Sequence, residues 1–248
     1  MTFDPFGDFE TRGYLRNLAE EKDPAIVRRL EHASFTTGID YAFAALQKKT
    51  VLTYADVLGT HKTLFEAMYP WAGQDRNQTA PDIAVKRGDV LFAHPKSIQN
   101  AVEHALKLGN DPKTMRAKPG EVMGYLAHGH PFLDGNGRTI MVVHAILAQR
   151  AGFSIDWAAT DKTKYLQALT KDLDNPGKGI LDKYLEPYIR PAVTDLKEHI
   201  NAAKGLDGGR GETDTVRGSN DDPAIQAEYK QQQLKRDEQT GGSKDAAR

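Results

Sequence analysis

The stretch His130-Pro131-Phe132-Leu133-Asp134-Gly135-Asn136-Gly137-Arg138 runs straight into Thr139-Ile140-Met141-Val142-Val143-His144-Ala145-Ile146-Leu147-Ala148-Gln149-Arg150-Ala151 and stops at Gly152. The second part is apolar on nearly every side, which predicts a helix buried in the middle of a larger protein. Gly152 stands where a left-handed C-terminal stop is expected. The rest of the chain must pack around this helix, so the expected fold is mainly α.

The start of that helix carries the chemistry. Asn136 lies between two glycines, so nothing bulky shields the backbone there. A first helical turn has unpaired N–H groups and a partial positive charge, and it binds anions. Arg138 falls in that turn, where its charge opposes the helix dipole unless an anion arrives. Together these features point to phosphate. Asp134 adds a hard oxygen of the kind Mg²⁺ uses beside phosphate, and His130 adds a group that takes a proton near neutral pH. Plainer readings exist: Asp134 as a helix cap, Gly135-Asn136-Gly137 as a tight turn, and Phe132 as a core anchor. A turn does not require the arginine that follows. His128 and His130, with His144 and Asp134, also resemble part of a zinc site, but Gly129 gives no scaffold for fixing two imidazoles.

The chain has 248 residues, which suits one domain of about 200 residues plus extras. Hydrophobic residues make up 39%, and the formal net charge is -1, so neither a broad nucleic-acid surface nor a membrane partner is indicated. There is no cysteine, which excludes disulfides, thiolate metal sites and cysteine nucleophiles. No basic-then-apolar leader or long apolar run is present. The expected location is the cytoplasm, or a target cell reached through a secretion system without a cleavable signal.

Helices are expected from Asp23-Pro24 to Leu46 with a possible break at Gly38, from Thr53, from Pro95 to Gly109, over Glu121–Ala127, from Asp161, and over Ile180–Ile189. Residues 110–118 are expected to be a loop and Ser154–Trp157 a short link. Residues 82–93 read as the one β-hairpin: Ile83 and Val85 alternate, Arg87-Gly88-Asp89 turns, then Val90 and Phe92 alternate. From about Gly205, glycine, charge and glutamine dominate, with Tyr229 the single aromatic. Such a segment is expected to stay without order, apart from a possible short helix over 224–238 begun by Asp222-Pro223. The domain division is therefore 1–203 for the folded unit and 204–248 for a polar tail.

The pattern H-x-F-x-D-G-N-G-R over 130–138 closely resembles the signature of the Fic family. Two further stretches are similar to Fic blocks: Asp4-Pro5-Phe6 with Gly13-Tyr14-Leu15-Arg16-Asn17, and Phe65 followed by Pro70-Trp71-Ala72-Gly73 and Arg76. Trp71 and Tyr69 in the latter are expected core plugs. The resemblance implies a Fic-type helical bundle around a buried central helix, with one small β-hairpin flap.

It also implies an activity: a protein adenylyltransferase, a toxin or effector, that transfers AMP from ATP to a serine, threonine or tyrosine of a target protein. By that resemblance His130 is the catalytic base, Asp134 holds Mg²⁺, and Gly135, Asn136, Gly137 and Arg138 bind the nucleotide phosphates. The flap (Ile83, Val85, Lys86, Val90, Phe92) holds the target as an added strand. One position departs from the family pattern: Met141 stands where a second arginine is common. That arginine helps grip the terminal phosphate and pairs with an inhibitory glutamate from the same chain or from a small antitoxin. Met141 leaves open a different nucleotide or phosphate-linked donor, or a weakly active nucleotide-binding module. Thr194–Glu198 and Thr36–Asp40 are only faintly like the inhibitory pattern. Gly137, where the kinase-like relative Doc has lysine, argues against that chemistry.

Overall fold

The computed structural model describes residues 3–193 and 214–241. In chain order the helices are α1 (Phe9–Arg12), α2 (Pro24–Gln47), α3 (Tyr54–Phe65), α4 (Arg76–Thr79), α5 (Ile98–Gly109), α6 (Pro112–Ala117), α7 (Pro119–Gly129), α8 (Asn136–Arg150), α9 (Lys162–Asp174), α10 (Ile180–Leu185) and α11 (Pro223–Gly241). The strands are β1 (Ile83–Arg87), β2 (Val90–Leu91), β3 (Phe153–Ile155), β4 (Ile189–Pro191) and β5 (Thr215–Ser219).

The apolar helix α8 is the axis. Ile140, Val142, Val143, Ile146 and Leu147 are all buried, and α2, α3, α6, α7 and β3 pack around it. It ends as expected, with Gly152 at φ +79 and its N–H donating to the Gln149 carbonyl. Burial on every face explains why the helix needs no amphipathic pattern.

The long helix α2 starts where Asp23 accepts the Ala25 N–H, with Pro24 in the first turn. It does not break at Gly38. A Cβ there would lie 2.3 Å from the Thr63 carbonyl oxygen, so the glycine serves the close crossing of α3 and not a bend. Helix α3 opens on a reciprocal cap between Thr53 and Asp56. Tyr69 and Trp71 stack at 4.5 Å, and the indole N–H donates to the Leu15 carbonyl, which ties the N-terminal segment to the core.

Three local expectations need correction. Residues 110–118 contain α6, started by Asp111, whose carboxylate accepts the Thr114 N–H, and by Pro112. The link after Gly152 is strand β3, paired antiparallel with β4. The helix expected over 180–189 ends at Leu185, because Ile189–Pro191 is that partner strand. Strands of three residues are too short for alternation to reveal them.

The hairpin is present, with Arg87 opposite Val90 and Lys86 opposite Leu91. Gly88 takes φ +56 in the turn. A third strand, β5, lies on the outer edge of β1 and gives the order β2-β1-β5. Ile83, Ala84, Val85 and Lys86 face Ser219, Gly218, Val216 and Thr215. Helix α11 then folds back, burying Ile225 against Ala84 and Leu91 beside Tyr229. The expectation of a tail without order therefore differs from the structure over 214–241, whereas the short helix expected after Pro223 is there. The reason is physical: main-chain pairing needs no apolar composition, and one isoleucine with one tyrosine suffices to anchor a helix to a surface that already exists. Thr194–Glu198 lies outside the described residues.

Candidate active site

His130 follows α7 and turns the chain out of it in the left-handed region, at φ 40 and ψ 58. A non-glycine residue is held there only by strong neighbours. Arg76 supplies them: its Nε donates to the His130 carbonyl at 2.7 Å and its Nη2 to the Ala93 carbonyl at 2.8 Å. Its own backbone N–H donates to the Pro131 carbonyl. Arg76 is fully buried, and burial lowers its pKa to about 10, which still leaves it charged at neutral pH.

The next residues are braced in turn. The Asn136 amide spans Phe132, accepting its N–H at 2.9 Å and donating to its carbonyl at 2.7 Å. Phe132 stacks on His61 at 3.7 Å. Because Gly73 N–H donates to His61 Nδ1, the ring's Nε2–H is the donor to the Asp134 carbonyl at 3.0 Å. One Asp134 carboxylate oxygen accepts the Gly135 N–H at 2.7 Å, and the other accepts the Tyr14 hydroxyl at 3.3 Å. Asp134 is therefore not the cap of α8. Gly135 takes that place at φ +74, and no side chain among the described residues caps the helix. A Cβ at Gly135 would sit 2.5 Å from the Phe65 ring, whereas one at Gly137 would meet nothing within 4 Å. The helix start thus has open space over Gly137.

The His130 imidazole lies flat on Phe92, with centroids 3.6 Å apart and planes 5° apart. Its Nε2 is 2.8 Å from the Asp214 carboxylate, whose other oxygen accepts Arg87 Nε at 2.8 Å. Burial depresses the imidazole pKa against the opposing pull of Asp214. Burial would raise Asp214, but His130 and Arg87 outweigh it and hold the carboxyl at about 2. A neutral ring beside an ionised carboxylate carries its proton on Nε2. In this arrangement Nε2 is a donor to Asp214, and the Asn136 amide nitrogen 3.1 Å from it, itself only a donor, makes no hydrogen bond to it.

Arg138 projects over the Phe65 ring at 4.6 Å and meets Glu31 of α2 at 3.4 Å. Glu31 also accepts the Tyr69 hydroxyl at 2.6 Å. Burial first, then the nearby Asp134, raises its pKa to about 8 against the pull of Arg138. Met141 is buried in the core around α8.

The structure therefore gathers His130, Asp134, Gly135, Asn136, Gly137 and Arg138 at one helix start. The Asn136 side chain also braces the loop. On the flap, Ile83, Val85 and Lys86 lie along the strand that β5 pairs with, while Val90 and Phe92 point inward. His144 donates to the Pro119 carbonyl at 2.9 Å. Among the described residues no group of three or more His, Asp or Glu could hold a metal ion, and no helix is long and apolar enough to cross a membrane.

Sequence reasoning missed Glu31, Asp214 and the positioning roles of His61 and Arg76. Glu31 had a signal: it lies four residues after Val27 and four before Phe35, a charge on the buried stripe of α2. Asp214 had none.

Comparison with known proteins agrees with this architecture. Residues 51–148 match the model of the Fic/DOC family. It is 30% identical over 174 residues to the protein adenylyltransferase VbhT of Bartonella schoenbuchensis, covering 66% of this chain and 35% of that protein. It is 27% identical over 129 residues to the probable protein adenylyltransferase y4lH of Sinorhizobium fredii, covering 48% and 65%. The chain thus spans less than two thirds of either relative. The N-terminal Fic domain of a Bartonella quintana cell filamentation protein, solved with bound ADP, superimposes with a TM-score of 0.59 at 24% identity, covering 71% of this chain and 90% of that one. The BepC protein of Bartonella tribocorum, solved with AMPPNP, gives 0.56 at 20%, covering 71% and 91%.

Proposed function

We propose that this chain transfers AMP from ATP to a serine, threonine or tyrosine hydroxyl of another protein. The observation that carries this reading is the placement of an oxygen at His130. A strand laid along the flap edge delivers a side-chain oxygen to within 2.8 Å of the imidazole Nε2. A target strand in the same place would deliver its hydroxyl to the same nitrogen.

With that hydroxyl in place, His130 accepts its proton at Nε2. The oxygen then bonds to the α-phosphorus while the bond from that phosphorus to the bridging oxygen breaks, and pyrophosphate leaves. The uncapped amides at the start of α8 receive phosphate oxygens, and Arg138 balances charge on the outer phosphates. Most of the rate enhancement comes from positioning and electrostatics. Asp134 fits a magnesium ion, since one carboxylate with the phosphate oxygens makes a normal Mg²⁺ set. Bound there, the ion would neutralise phosphate charge. The setting for this chemistry is the cytoplasm of the producing cell or of a cell into which the protein is delivered, and a small antitoxin is a candidate regulator.

Mass spectrometry of lysate incubated with the protein, Mg²⁺ and ATP tests the proposal, run on the wild type and on an Ile225→Asp variant with its tail loosened. Added AMP on a hydroxyl side chain is expected, and His130→Ala should reduce it roughly 10²–10⁴-fold while ATP still binds. No added AMP from either protein would overturn the proposal. The buried Met141, at the position where a phosphate-gripping arginine is common, favours one second reading, a different nucleotide donor. Transfer from UTP or CTP but not ATP would select it.

A further inference from the structure

We propose that residues 214–219 are a tethered block of this protein's own site: β5 fills the edge of the flap, and Asp214 occupies the place of the acceptor side chain at His130. This rests on the reading of the flap and His130 given above, and it adds a resident competitor.

Three independent features converge on it. The strand is bound through its main chain, with Val216 and Thr215 opposite Val85 and Lys86, so the edge that would receive a target is already paired. Asp214 is clamped from both sides, by Nε2 of His130 and by Arg87, and its side chain is only 7% exposed. A base that must accept a proton is thereby turned into a donor to a carboxylate, which has no proton to give it. The block is also anchored at a distance. Ile225 is buried against Ala84 and Leu91, the Asn220 N–H donates to the Asp82 carbonyl, and Gln232 Nε2 donates to the Leu91 carbonyl.

Aspartate suits this role better than a hydroxyl residue would. It matches the position of an acceptor oxygen, yet it accepts a hydrogen bond where a hydroxyl would donate one, its charge pairs with Arg87, and it offers no proton for the base to remove. The anchor is small, one isoleucine, one tyrosine and a few polar contacts, so a partner that takes up α11 or outcompetes β5 for the flap would release the site. Displacement of a paired edge strand by another strand is a balanced exchange of main-chain hydrogen bonds, which makes such a switch reversible.

Full-length wild type, Asp214→Ala and Ile225→Asp are treated with diethyl pyrocarbonate, and modification at His130 is followed by peptide mass spectrometry. This reagent attacks an unprotonated, reachable imidazole nitrogen and needs no transferase activity. His130 should react at least 10-fold faster in both variants, although Ile225 touches neither His130 nor Asp214. Equal rates in all three proteins would overturn the proposal. Acceleration in Asp214→Ala alone would overturn the strand as the block. AMP transfer to lysate proteins is measured in parallel and should rise by a similar factor. Faster modification of His130 with no AMP transfer from any variant would remove the transferase reading and leave the block standing.

Discussion

The carboxylate of Glu31 and the guanidinium of Arg138 meet at 3.4 Å in the buried space between α2 and the start of α8. This contact joins the bundle to the first turn of α8, and it is poorly balanced. Burial and Asp134 raise Glu31 to about 8 despite the arginine. An acid whose folded pKa exceeds its unfolded value favours the protonated, low-pH form. Its contribution is complete below about pH 4.3 and is lost as pH rises toward 8. We expect Glu31 to reduce stability by up to about 1.4 kcal/mol per pH unit across that window. Glu31→Gln should remove this slope, seen as a gain in Tm over wild type that grows from pH 5 to 8. A gain independent of pH would show that Glu31 is ionised throughout.

Buried histidines act with the opposite sign. Burial lowers His61 to about 3 and His144 to about 4, and pushes His128 well below its ordinary value. A folded pKa below the unfolded one gives stability that is complete above about pH 6.5 and is lost as pH falls. At pH 4.5 His61 and His144 together cost about 5 kcal/mol, already the low end of the stability of a typical domain, and His128 adds to that cost. Circular dichroism should therefore show cooperative acid unfolding with a midpoint between about pH 4 and 5. His144→Gln keeps an N–H for the Pro119 carbonyl and cannot become charged, so it should move the midpoint to lower pH. An unmoved midpoint would exonerate this histidine.

The sequence carried the central helix, its glycine stop, the flap and the uncapped helix start, because each leaves a local trace. All-round apolar character, paired glycines and short-range alternation survive without knowledge of the fold. What it did not carry is what depends on contacts between distant segments. Asp214 reaches His130 across 84 positions through backbone pairing, which imposes no residue pattern. Arg76 was visible as part of a block, but its grip on the His130 carbonyl is a property of packing. Glu31 lies between these cases, as a charge on an apolar stripe that announced a buried partner without naming it.

Arg76 should behave as a positioning residue. Its guanidinium ties the His130 carbonyl to that of Ala93, and one of its nitrogens, Nη1, has no hydrogen-bond partner among the described residues. Lysine lacks the planar fork, so it cannot serve both carbonyls in this geometry. Arg76→Lys should cost about 2–4 kcal/mol through carbonyls left unpaired in the interior. In the variant that remains folded at low temperature, kcat for AMP transfer should fall more than the KM for ATP changes, because the ring moves and the phosphate amides do not. Equal changes in both would place the effect elsewhere.

The glycines on either side of Asn136 differ in what a side chain would meet. Gly135 has φ +74 and would press a Cβ against Phe65, so Gly135→Ala should destabilise the fold itself. Gly137 sits in the first turn of α8, and an alanine methyl there would meet nothing within 4 Å. Alanine is a better helix residue than glycine by roughly 0.5–1 kcal/mol, so Gly137→Ala should fold at least as well as wild type. If that open space is where phosphate approaches the amides, the same methyl should weaken Mg²⁺-ATP binding by about tenfold or more, roughly the loss of 1.4 kcal/mol or above. Calorimetric titration beside a thermal melt reads both quantities on one protein. Unchanged ATP affinity with unchanged or higher Tm would mean that the phosphates lie elsewhere, and the amides of α8 would then be an ordinary helix start.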